Sequence, residues 1–99
     1  MTCKIIKGDN KLIKQFGYFD KSTQIGECAV KEYLRGQNAG SFLLHNVAIN
    51  EAYRGKGLCS KFLKCVLKHY SGKTVYLEVL INNIPAVKCY MALGFVEIN

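Results

Sequence analysis

The sequence predicts one domain over residues 1–99, of the α/β (α+β) class. It is a compact mixed sheet of about six strands with two helices, in the order β-β-β-β-α-β-α-β. Three observations carry that expectation. Four strand-like stretches separated by turn chemistry fill the first half. Residues 57–70 repeat apolar side chains at helical spacing, with lysines on the other face. The second half then alternates strand, helix, strand, helix, strand, which calls for largely parallel pairing through right-handed crossovers.

Residues 3–7 read as a short first strand, and Gly8-Asp9-Asn10 as a turn cluster. Residues 12–19 form a second strand. Residues 20–23 turn it back into a third over residues 24–34, where Gly26 marks a bulge or a close backbone approach. Residues 35–40 are a polar loop. Residues 41–49 make the fourth and most apolar strand, expected at the centre. Leu58, Phe62, Leu63, Cys65, Val66 and Tyr70 define the buried stripe of the first helix, and Gly72 suits its left-handed cap. Residues 74–80 follow as a fifth strand. Asn82 or Asn83 caps a second helix with Pro85 in its first turn, Gly94 ends it, and residues 95–98 are a final short strand.

Composition narrows the function. Fourteen basic and seven acidic residues give a net charge of +7, which suits an anionic partner such as nucleic acid, an anionic lipid surface or a phosphorylated cofactor. It argues against a polycationic one. The charge is nearly all lysine and forms no block, so surface solvation explains most of the excess. No apolar run reaches the about 18 residues of a membrane span. The first residues are charged and lack an apolar signal core, so a cytoplasmic, intracellular chain is expected. Cys3, Cys28, Cys59, Cys65 and Cys89 are odd in number, contain no C-x-x-C pair and sit among apolar neighbours. They read as reduced, buried hydrophobes.

The stretch that carries chemistry runs from Asn46 to Ser60. An apolar strand enters a polar link, then Arg54-Gly55-Lys56-Gly57, then the amphipathic helix. The first N–H groups of a helix lack intrahelical partners and the helix dipole favours negative charge there. Glycines let the backbone approach a phosphate closely. A pyrophosphate cradle and an ordinary polar loop both fit this stretch alone. Two other patterns carry less. Ser71-Gly72-Lys73-Thr74 looks like the end of a phosphate-binding loop, but Leu67 stands where the first glycine is needed and a strand follows. Cys65 and His69 have zinc-ligand spacing without a second pair.

Residues 79–95 read VLINNIPAVKCYMALGF and supply a second motif at a suitable distance. With it, the sequence resembles the GNAT superfamily of acetyl-coenzyme A-dependent N-acetyltransferases. Arg54, Gly57 and Cys59 occupy the family's R/Q-x-x-G-x-G/A positions, with cysteine replacing glycine or alanine. Asn83, Ala86, Tyr90, Gly94 and Phe95 match the pattern of its last helix and the strand after it. The likeness covers residues 24–98 well and the first 23 poorly.

The resemblance implies a cofactor site and a chemistry. Backbone N–H groups of Arg54, Gly55, Lys56, Gly57, Leu58 and Cys59 would hold the pyrophosphate of acetyl-CoA. The pantetheine arm would pair like an added strand with Val47, Ala48 and Ile49, and an N–H there would stabilise the developing oxyanion. Asn83 would contact or orient the pantetheine, beside its plainer role as a helix cap. Tyr90 matches a tyrosine that protonates the departing thiolate; packing against the fourth strand is the alternative. His45 occupies a position where some arylalkylamine-type relatives carry a base. By strand alternation Leu43, His45, Val47 and Ile49 would share one face. A core histidine is equally compatible, Glu78 is a second candidate base, and water could suffice. No metal is implied.

The chain also departs from the family pattern. Only about five residues join the first two strands, so the two helices usual there are not expected, nor is a last strand before Asn99. An open acceptor face follows, suited to a primary amine on a protein, a peptide or a small molecule. An exposed sheet edge follows too, which a homodimer would cover. Acetyl transfer by direct attack in a ternary complex is the leading expectation. A module that binds acetyl-CoA without turnover is the second. A basic nucleic-acid-binding domain is the third, weakened because no aromatic stacking array or RNP-type motif is evident.

Overall fold

The computed structural model describes residues 1–10 and 12–98, apart from the side chains of residues 8–10. Strand β1 (Thr2–Asn10) pairs antiparallel with β2 (Ile13–Asp20), β2 with β3 (Thr23–Glu32), and β3 with β4 (Phe42–Ile49). Helix α1 (Leu58–Leu67) then crosses over to β5 (Val75–Tyr76), which lies parallel to β4. The sheet order is β1-β2-β3-β4-β5, and α2 (Ile84–Ala92) follows it. The mixed sheet, its two helices and the crossover are those expected.

Some boundaries differ. Residues 8–10 continue β1 instead of turning, with Asn10 opposite Ile13, so the connection narrows to Lys11, outside the described residues, and Leu12. Residues 95–98 form no strand. The fifth strand pairs over only two residues, so beyond Tyr76 no neighbouring backbone is aligned to receive them. Val96 and Ile98 accordingly remain 78% and 68% exposed. The sheet therefore has five strands.

The core forms where α1 lies across one face of the sheet. Phe62, Leu63 and Val66, at helical spacing, are fully buried against Phe16 of β2, Val30 of β3 and Leu44 of β4. The rings of Tyr18 and Phe62 stack at 4.9 Å. The lysines of α1 point away, as the sequence pattern requires. A 3₁₀ turn (Lys68–Tyr70) extends the helix, and Gly72 adopts φ +77° behind it. Gly26 sits at the expected close approach: a Cβ there would come within 2.8 Å of Ile49 Cδ1 and 3.2 Å of the Ala48 carbonyl oxygen. The neighbouring Ile25 is the extra residue of a bulge against β2 and turns into the core. No helix among the described residues is long and apolar enough to cross a membrane.

The cysteines require a correction. Cys3 of β1 is bonded to Cys65 of α1, and Cys59 of α1 to Cys89 of α2, each with a Cα–Cα distance of 6.3 Å. These partners are 62 and 30 residues apart, so their adjacency is produced by the tertiary fold and leaves no trace in local spacing. Cys28 is the one free thiol among the described residues and is buried.

Burial, with a smaller contribution from Glu27, pushes the Cys28 thiol from 9.0 up to about 12. Between those values the unfolded chain has released the proton and the folded chain still holds it. The stability linked to Cys28 is therefore complete below about pH 9 and is lost as pH rises towards 12. Thermal unfolding followed from pH 8 upward should show a falling midpoint, with a slope from this thiol of at most ~1.4 kcal/mol per pH unit. Cys28→Ala should flatten that fall; an unchanged slope would contradict the assignment.

Candidate functional site

The site begins with a kink in β4. Asn46 adopts φ +55°, in the left-handed region that asparagine tolerates better than most side chains. In the ladder, Ala29 faces His45 and Glu27 faces Ala48, so Asn46 and Val47 together stand opposite Cys28 alone. This is a β-bulge, and it reverses the alternation of side chains. Leu44 and Ile49 both reach the core, and Val47 packs against it. Leu43 and His45 lie on the opposite face. The expectation that Leu43, His45, Val47 and Ile49 share one face is thus overturned, because one extra residue separates the two pairs.

Beyond the pair Leu43–Tyr76, β4 and the chain after β5 separate. A cavity of about 370 Å³ opens between them, bordered by His45, Val47, Glu78, Asn83 and Tyr90. The Nε2 atom of His45 is buried and has no hydrogen-bond partner among the described residues. A second cavity, of about 780 Å³, continues along Ala48 and Ile49 to the turn at Arg54, Gly55 and Gly57. Leu58 and Cys59 of α1 close it on one side and α2 on the other. Val47, Asn83 and Tyr90 border both cavities, which therefore meet.

The turn is built to leave donors free. The Asn50 side chain accepts a hydrogen bond from Ala52 N–H at 3.1 Å and starts a 3₁₀ turn (Glu51–Tyr53). Arg54 then donates through Nε to the Ile49 carbonyl at 2.8 Å, tying the loop to the end of β4. Its guanidinium is thus partly committed to holding the turn, a role the sequence did not suggest. Gly55 and Gly57 take φ of +77° and +73°, and Gly57 caps α1 with no side-chain hydrogen bond. None of the N–H groups of residues 55–57 finds a backbone acceptor among the described residues. Lys56 borders neither cavity; its ammonium lies 5.6 Å from the centroid of the Tyr53 ring.

On the facing side, Asn83 is the cap of α2. Its side-chain oxygen accepts from Ala86 N–H at 3.4 Å, and Pro85 follows in the first turn. Tyr90 is half-buried, and its phenol is held above its usual range by that burial, with a smaller contribution from Cys28. It therefore stays protonated at neutral pH.

Twelve of the thirteen residues given a binding or catalytic role in the sequence, Glu78 among them, thus border the joined cavity, with Lys56 apart. Sequence reasoning missed Asn46, whose signal was an asparagine inside an apolar strand. It also missed Tyr53 and Lys88 on the cavity wall and the Cys59–Cys89 bond across its flank.

The sheet opens beside β4, which lies next to the edge strand β5 and not at the centre expected of it, and a donor-rich turn leads from it into α1. The chain belongs to the acetyltransferase (GNAT) family, whose pattern matches residues 10–95. It is 38% identical over 68 residues to the spermine/spermidine N(1)-acetyltransferase of Bacillus subtilis, covering 65% of this chain and 45% of that protein. The chain thus spans less than half the length of that relative. Its fold is similar to a GNAT-family acetyltransferase from Streptococcus pneumoniae, with TM-score 0.74, 22% identity, and coverage of 90% of this chain and 55% of the other. It is also similar to AAC(6')-Iy bound to the bisubstrate analogue CoA-S-monomethyl-acetylneamine, with TM-score 0.71, 18% identity, and coverage of 89% and 65%.

The bulge sets the position of everything downstream on β4. Asn46→Ile should destabilise the protein by about 1–2 kcal/mol, because a β-branched residue resists positive φ. Asn46→Gly should stay within about 0.5 kcal/mol of the parent in the same denaturant titration.

Proposed function

We propose that this chain is an acetyl-CoA-dependent N-acetyltransferase that transfers the acetyl group to a primary amine by direct attack in a ternary complex. The observation that carries the reading is the joined cavity. It runs from the free N–H groups at Gly55–Gly57 to the residues His45 and Tyr90, the latter protonated. The CoA moiety of the ligand bound to AAC(6')-Iy supports the same donor here.

The residues fit that donor. The N–H groups of residues 55–57 and those of Leu58 and Cys59 at the start of α1 bind the pyrophosphate. The backbone of Val47, Ala48 and Ile49 receives the pantetheine arm, with Asn83 on its far side. Bound acetyl-CoA supplies a thioester carbonyl for the incoming amine. His45, which borders the inner cavity, accepts the amine's proton directly or through water. Tyr90 donates its proton to the leaving sulfur as the carbon–sulfur bond breaks. Glu78, exposed on the rim, is the alternative base. Among the described residues no helix stands between β1 and β2, which favours an acceptor presented on a peptide or protein.

Calorimetric titration with acetyl-CoA tests the reading. Gly57→Glu should abolish binding by placing a carboxylate in the pyrophosphate site. Tyr90→Phe should leave the dissociation constant nearly unchanged and lower thiol release on an amine panel about 10²-fold or more. No binding by the parent chain would overturn the reading. Binding without turnover on any amine would favour the second reading, a cofactor-binding module, which the absent acceptor helices motivate.

A homodimer belongs to the same proposal. Residues 77–79 and 96–98 make no backbone hydrogen bonds among the described residues, and Leu80 and Ile81 beside them are 76% and 81% exposed. A second copy of the chain would cover this edge. Sedimentation at high protein concentration should find a dimer; a monomer there would exclude it.

A further inference from the structure

The Cys59–Cys89 bond joins two partly buried cysteines at the margin of the core. Cys59 is the second residue of α1, just past the Gly57 turn, and Cys89 immediately precedes Tyr90 in α2. Both border the larger cavity. Helix α2 is otherwise lightly held. None of its residues is buried, and Ile84 and Met91 are more than half exposed. Among the described residues, the one side-chain hydrogen bond of this helix is its internal cap, donated by Ala86 N–H to the Asn83 side-chain oxygen. The segments on either side of it, residues 77–79 and 96–98, are unpaired. Its contacts with the core run through partly buried Cys89 and Tyr90, and through Leu93 and Phe95 just beyond its end. Among the described residues, the disulfide is the one covalent tie between the wall that carries Asn83 and Tyr90 and the turn that carries the free N–H groups.

We propose that Cys59 and Cys89 form a redox-dependent positioning pair, which in its disulfide form fixes α2 against the cofactor turn and raises the affinity for acetyl-CoA. The proposal rests on the acetyl-CoA reading above. In the dithiol form α2 is released to the few contacts it has, and ordering it again opposes cofactor binding. The chemistry balances with an external dithiol as reductant. One of its thiolates attacks a sulfur of the Cys59–Cys89 bond, its second thiol resolves the mixed disulfide, and the products are two cysteine thiols and the reductant's own disulfide. A disulfide oxidant such as oxidised glutathione runs the exchange in reverse. Cys28 takes no part, being buried, and its thiol is held protonated by that burial. The Cys3–Cys65 bond ties β1 to α1 and borders neither cavity, so it serves as an internal control.

Coupling of this kind is reciprocal: whatever factor the disulfide adds to acetyl-CoA affinity, bound acetyl-CoA adds to the resistance of the bond to reduction. The test compares the oxidised chain with the chain reduced by dithiothreitol, reading amide hydrogen exchange of residues 84–92 and the acetyl-CoA dissociation constant. Reduction should speed exchange in α2 and raise the dissociation constant roughly five- to tenfold. Oxidised glutathione should reverse both changes. Cys89→Ser should bind as the reduced chain does and ignore the reductant. Cys3→Ser/Cys65→Ser should keep the full response. Unchanged exchange in α2, an unchanged dissociation constant on reduction, or loss of the response in Cys3→Ser/Cys65→Ser would each overturn the proposal. An oxidised chain that does not bind acetyl-CoA would overturn the functional reading, while the exchange measurement would still decide whether the bond holds α2.

Discussion

One left-handed residue governs the geometry of this domain. At Asn46 the fourth strand takes in an extra residue, so its two halves present opposite faces to the core. The first half sends Leu44 inward and leaves His45 on the far side; the second sends Ile49 inward and leads to the cofactor turn. The strand also parts from its parallel neighbour just before this point, after a contact of two residue pairs. A flat, fully paired strand would close the gap and leave no cavity. The core accommodates the kink because Leu44 before it and Ile49 after it join one buried cluster with Leu58, Phe62, Leu63 and Val66 of α1.

The turn after β4 shows how few residues such a site demands. Two glycines at positive φ and one arginine tied to the preceding strand leave a row of N–H groups without acceptors. In water those groups are merely solvated. Beside a cavity and at a helix start, the proposed anion site would draw its strength from backbone and need little from the side chains. Arg54 contributes mainly by holding the loop in place, and Lys56 remains at the periphery.

Much of this was legible in the residues. The buried stripe of α1, the Asn83-Pro85 start of α2, the glycine stops and the hairpin of β2 and β3 all obey local rules of periodicity and capping, and each appears where those rules place it. The residues that line the joined cavity were legible too, because a strand, a glycine turn and a helix start are consecutive in the chain. What escaped depends on neighbours distant in sequence. Alternation along residues 43–49 could not reveal which register β3 imposes, so the face of His45 was misjudged. Residues 95–98 are apolar enough for a strand, yet pairing needs a partner backbone that the short β5 does not offer. The cysteines looked like ordinary core residues because a disulfide is a statement about tertiary proximity.

The two disulfides also define how force would travel through the molecule. They overlap in α1, one leaving from Cys65 and the other from Cys59. The shortest covalent route from Met1 to Ile98 therefore crosses from Cys3 to Cys65, runs backward through less than two turns of α1, and crosses again from Cys59 to Cys89. Strands β2 to β5 lie outside that route. Tension applied at the two ends would load the short helical segment beside the cofactor turn and spare the sheet, so the domain is mechanically a brief linear tether from which its largest element hangs as a slack loop.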